Sequence, residues 1–111
     1  MNKKQSKLVR DLIVAIITES GRGCSWRYVG SREEHMNLLI DKLDEESYEL
    51  MCAETHRERV EEAGDLFEVF KCLIDLNGIS LEEAQNAAKL KAASRGSFKS
   101  GIVLERCVKS T

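Results

Sequence analysis

Apolar residues recur at three- and four-residue steps through most of this chain, the period of an amphipathic helix and not of a strand. Met36, Leu39, Ile40, Leu43, Leu50 and Met51 mark the inward stripe of a helix over about 32–54. A second helix over 56–76 carries two stripes: Val60, Ala63, Phe67, Phe70 and Ile74 on one side, Leu66, Val69 and Leu73 on another. A helix apolar over so much of its circumference is expected to meet a core on one side and a subunit on the other. A third helix is predicted over 81–94, and a shorter one over about 11–19, capped by Asp11.

Start signals agree with these spans. Ser31-Arg-Glu-Glu34, Thr55-His-Arg-Glu58 and Ser80-Leu-Glu-Glu83 each place a hydroxyl where it accepts an orphan N–H, with a Glu three residues on to return the bond. Asn77-Gly78 and Arg95-Gly96 supply the stops. The glycine- and aromatic-rich stretch GRGCSWRYVG reads as an ordered loop, and the tail SFKSGIVLERCVKST as non-helical, with a short extended segment at Ile102 to Leu104. The expected fold is all-α, a four-helix-type bundle with a short non-helical C-terminal segment, forming one domain over residues 1–111.

Length adds an expectation of assembly, since 111 residues make a small core that a partner subunit would enlarge. Charge narrows the partners. A net charge of -2, with basic residues scattered among acids, leaves no footprint for a nucleic-acid polymer. The lysines and apolar run near the start imitate a secretion signal, but Asp11 interrupts them and the uncharged stretch from Leu12 to Thr18 is too short to cross a bilayer. The chain is therefore read as cytoplasmic, with no membrane partner. Cys24, Cys52, Cys72 and Cys107 have no CxxC spacing and read as reduced, structural thiols.

The acids change the picture most. Glu46 falls at the edge of the stripe on its helix, with Glu49 one turn further on. Glu62 heads the stripe of Leu66, Val69 and Leu73, and Asp65 follows one turn later. A carboxylate so placed is costly unless something compensates it, and two antiparallel helices offering acids at i and i+3 can surround a cation. Oxygen donors suit Mg²⁺ or Mn²⁺ better than zinc. On spacing alone the alternative stays open: 19 acidic residues will produce such pairs on any solvated helix. A ferritin-like di-iron site would need Glu-x-x-His pairs, and neither His35 nor His56 has a Glu three residues before it, so both read as surface or capping-region residues.

These motifs resemble those of the MazG and phosphoribosyl-ATP pyrophosphohydrolase group of all-α nucleotide pyrophosphohydrolases. Its EExxE motif is matched by Glu45-Glu46-Ser-Tyr-Glu49, and its ExxD by Glu62-Ala-Gly-Asp65 after twelve intervening residues. KLVRD at Lys7 to Asp11 and KLKAASRGSFKSGIVLE resemble terminal segments of a small stand-alone branch, from which the chain departs at Leu12 and Val14, where that branch has Lys and Pro.

The resemblance implies Mg²⁺-dependent cleavage between the α and β phosphates of a nucleoside triphosphate, giving a monophosphate and pyrophosphate. Mn²⁺ is the expected substitute. It makes Glu46, Glu49, Glu62 and Asp65 the metal ligands, with Glu45 assisting a ligand or the attacking water. Lys91, Arg95 and Lys99, spaced by four, are the favoured contacts to the outer phosphates, with Lys7 and Arg10 second. Trp26 either stacks on the nucleobase or plugs the end of the core. The partners expected are the nucleotide and further copies of the chain, as homodimer or homotetramer. Two other readings remain: a catalytically silent module binding a nucleotide or protein, and an interaction domain whose acids are a solvated face.

Overall fold

The computed structural model describes residues 6–109 and is all-helical, with no strand among those residues. The helices are α1 (Ile13–Glu19), α2 (Arg32–Cys52), α3 (His56–Leu76) and α4 (Leu81–Arg95). Two compact units divide the chain, Met1–Gly78 and Ile79–Thr111.

In the first unit α2 and α3 pack as an antiparallel hairpin joined at residues 53–55. The buried line of α2 runs through Leu39 and Glu46, with Leu43 and Leu50 half-buried between and beyond them, and α3 answers with Val69, flanked by Leu66 and Leu73. Of the two stripes on α3, the one headed by Glu62 therefore supplies its buried residue. On the other stripe Val60, Phe67 and Phe70 remain open, and the two phenylalanines line an open apolar groove with Leu43, Ala63 and Leu66.

Local chemistry fixes the helix ends. Thr55 and Ser80 form complete capping boxes, in which the hydroxyl accepts the N–H of Glu58 or Glu83 and the Glu carboxylate accepts the cap's own N–H. The third box is only half formed. Ser31 accepts from the Glu34 N–H at 3.0 Å, but Glu34 Oε1 takes the Gly30 N–H at 2.7 Å and an Arg27 N–H at 3.0 Å. The guanidinium in the preceding loop draws the carboxylate one residue upstream. At the other end of the hairpin Arg32 donates to the Asn77 side chain at 2.9 Å and the Leu76 carbonyl at 3.4 Å, placing a cation at the negative end of α3. Gly78, at φ +74°, then turns the chain out of the helix.

Four expectations need correction. α1 begins at Ile13 with Leu12 at its cap and no side-chain capping bond, because the first helical bond runs from the Ile16 N–H to the Leu12 carbonyl, one residue too late for Asp11 to serve. α2 ends at Cys52, and both Met51, in its last turn, and Ile40 are exposed instead of on the inward stripe. Ile102 to Leu104 pair with no strand and are exposed, since a ladder needs a partner edge. All four cysteines are free, and none is buried, so they fill no core space.

In the second unit α4 ends at Arg95, where Gly96 takes φ +86°. It has no buried residue. No helix among the described residues is long and apolar enough to cross a membrane.

Candidate metal centre

Steps of four, three and four residues from Leu39 lead to Leu43, Glu46 and Leu50, so Glu46 stands within the buried line of α2 and not at its edge. It is 9% exposed, as deeply placed as Val69. The facing turn of α3 brings Glu62 and Asp65, both half-buried, and one carboxylate oxygen from each of the three lies within 4.8 Å of the others. Residues separated by up to nineteen positions in sequence thus share one small volume at the loop end of the hairpin.

Electrostatics within this group are uneven. Lys42 sits one turn before Glu46, with Nζ 3.4 Å from Glu46 Oε2 and 3.4 Å from Glu45 Oε1. Arg10 donates to Asp65 Oδ1 at 2.7 Å, and Lys7 lies 3.9 Å from Glu45 Oε2. Among the described residues no basic side chain pairs with Glu62. Loss of hydration, followed by the charges of Glu49, Asp65, Glu46 and Glu61, pushes its carboxyl above the ordinary range. Glu62 is the member of the group whose charge is least compensated.

The residues singled out from sequence are therefore distributed unequally. Glu46, Glu62 and Asp65 come together. Glu49 is exposed and outside the trio, yet of the neighbouring charges its own weighs most on Glu62. Glu45 faces Lys7 and Lys42. Lys7 and Arg10 reach these acids from the segment before α1. Trp26 is 55% exposed and meets Tyr28 edge-on, with ring centroids 5.1 Å apart, so it does not plug the core. Lys91 and Arg95 share one exposed face of α4, while Lys99 lies beyond the helix end.

Lys42 was missed. Its signal was available in KLDEE, where Lys42 precedes Glu45 and Glu46 by three and four residues, the helical spacing for ion pairs.

Three carboxylate oxygens crowded on two helices, with a fourth acid beside them, form a donor set that fits a hard divalent cation and would repel a polyphosphate without one. The comparison with known proteins agrees in kind. The family model for phosphoribosyl-ATP pyrophosphohydrolase matches residues 9–92, which include both acid motifs and the whole α2–α3 hairpin. No curated protein sequence and no solved structure matches the chain. A match over this much of the chain, on a helical hairpin that gathers the motif acids, shows that the protein belongs to the phosphoribosyl-ATP pyrophosphohydrolase family.

Proposed function

We propose that this chain is a divalent-cation-dependent nucleotide pyrophosphohydrolase that cleaves the α–β bond of a nucleoside triphosphate or related nucleotide, releasing a monophosphate and pyrophosphate. The observation that carries the reading is the convergence of Glu46, Glu62 and Asp65, with Glu62 left without a basic partner among the described residues. These three, with Glu49 one turn beyond Glu46, would hold Mg²⁺, or Mn²⁺ in its place. Such an ion supplies charge neutralisation at the phosphate oxygens and a lowered pKa for a bound water.

The chain's own residues do the rest. Glu46 is fixed by burial between Leu43 and Leu50, which holds its carboxylate in place as substrate enters. Glu45, which pairs with Lys7 and Lys42, would orient a ligand or accept a proton from the attacking water. Lys91, Arg95 and Lys99 are the favoured donors to the outer phosphates, Lys7 and Arg10 the second choice. Exposed Trp26 offers a face for the nucleobase.

Assembly as a homodimer or homotetramer belongs to the same reading. Only Leu39 and Val69 are buried among the described hydrophobic residues, while Val60, Phe67 and Phe70 leave an apolar face of α3 open. A second copy covering that face would extend a core that is small for the chain length.

Pyrophosphate release from a panel of ribo- and deoxyribonucleoside triphosphates, with Mg²⁺, with Mn²⁺ and with chelator, tests the proposal. Metal-dependent release that is lost in Glu62→Gln supports it. Release indifferent to chelator, or Glu62→Gln turning over like the unaltered chain, overturns it.

A further inference from the structure

Residues 6–11 belong to no helix or strand, yet two of their cations hold them to both helices of the hairpin. Lys7 pairs with Glu45 on α2 at 3.9 Å, and Arg10 donates to Asp65 on α3 at 2.7 Å. The two contacts differ in one respect that matters. Glu45 lies outside the trio of clustered acids, whereas Asp65 is one of its three members.

A guanidinium on Asp65 offsets the same negative charge that a divalent cation would offset, and it uses lone pairs that a metal ion would need. Magnitude decides which of the two wins. The Arg10–Asp65 pair is between side chains 59% and 42% exposed, in the range where ion pairs contribute little to stability. It is weak enough to yield to an ion that also engages Glu46 and Glu62.

We propose that Arg10 is a built-in competitor for the divalent cation at Asp65: cation binding breaks the Arg10–Asp65 pair and frees residues 6–11 from α3. The inference rests on the reading of Glu46, Glu62 and Asp65 as cation ligands. Arg10 is then a positioning residue that sets metal affinity, and its released fork of N–H donors becomes available to a phosphate group only once the site is charged. Metal and nucleotide binding are coupled through one side chain.

The test uses the full chain without nucleotide. Mn²⁺ binding, followed by the electron paramagnetic resonance of the free ion, is expected to be about two- to five-fold tighter in R10Q than in the unaltered protein, the scale of an exposed ion pair. K7Q should change it less. In parallel, trypsin should cleave after Arg10 faster with Mg²⁺ than with chelator, scaled to cleavage after Arg95 in the same digest. Equal or weaker Mn²⁺ binding by R10Q, or cleavage after Arg10 that Mg²⁺ does not accelerate, overturns the inference.

E62Q separates this outcome from failure of the underlying reading. Mn²⁺ binding that E62Q weakens but R10Q leaves unchanged rejects the competition alone. No binding by the unaltered chain, or binding indifferent to E62Q, rejects both. The digest needs no substitution, so it decides even if R10Q does not fold.

Discussion

The α2–α3 hairpin and α4 are built from equally clear local signals but end in different surroundings. α3 and α4 both begin with a complete capping box, and both stop where the next glycine takes a positive φ. Yet the hairpin buries Leu39, Val69 and Glu46, whereas α4 buries nothing and leaves Leu90 73% exposed. Caps and composition define a helix without defining what it packs against. Five alanines keep the intrinsic propensity of α4 high, but an unpartnered helix of 15 residues is marginal in water. The hairpin carries its own reason to persist, while α4 needs one from elsewhere.

The sharpest way to break this contrast is truncation on each side. Leu39→Ala removes a side chain 3% exposed and is expected to lower stability by about 2–5 kcal/mol in urea unfolding. Leu90→Ala should stay within about 0.5 kcal/mol. If the second change costs as much as the first, Leu90 is covered in solution and the contrast between the two helices fails.

Next in size is Glu62→Gln, which tests whether the hairpin's acids act as a site. Turnover should fall by about 100-fold or more, on the scale seen when an electrostatic group is removed from a reaction centre. Stability should move the other way when chelator is present. The Glu62 carboxyl titrates above its unfolded value of 4.5, so its favourable contribution is complete below that pH and is lost as pH rises through the higher folded value. Thermal melts with chelator should therefore show the unaltered protein weakening above about pH 4.5 while Glu62→Gln does not.

What could be read from the sequence follows the same division. All four helices, the stops at Asn77-Gly78 and Arg95-Gly96, and the boxes at Thr55 and Ser80 are local features, and local features are legible. The half-formed box at Ser31 was not, because Arg27 competes for Glu34 from outside the motif. At the acids, periodicity placed Glu62 on an apolar stripe, but the burial of Glu46 emerges only when α3 lies against α2. The Arg10–Asp65 pair spans 55 positions, and no periodic pattern encodes such a contact. The extended tail failed for a related reason: β-prone residues make a strand only when a partner edge exists.

Helix caps give a smaller test of the same comparison. Thr55→Ala and Ser80→Ala each remove one capping acceptor, a loss of about 1 kcal/mol. In the hairpin that loss should lower the urea midpoint of the whole unit, because α3 unfolds with α2. In α4 it should instead raise the amide exchange of residues 81–84 without a comparable change in the midpoint. Equal midpoint shifts from the two substitutions would mean that the two units unfold together.

The smallest expected effect lies at the entrance to the hairpin, where Glu34 exchanged half of a capping box for a bond to Arg27. Hydrogen bonds from Arg27 and from the Gly30 N–H hold its carboxyl down at about 2, against 4.5 in the unfolded chain. A depressed acid stabilises the fold above its unfolded pKa, and the contribution fades as pH falls from about 4.5 towards about 2. Because the pair is solvent-exposed, salt should screen the Arg27 part of this effect and leave the Gly30 bond largely in place. Melting curves of the unaltered chain and Glu34→Gln should then separate slightly at neutral pH and converge in acid, with the gap narrowed by salt. A gap that persists unchanged below pH 2 would mean that Glu34 supports α2 through shape and not through charge.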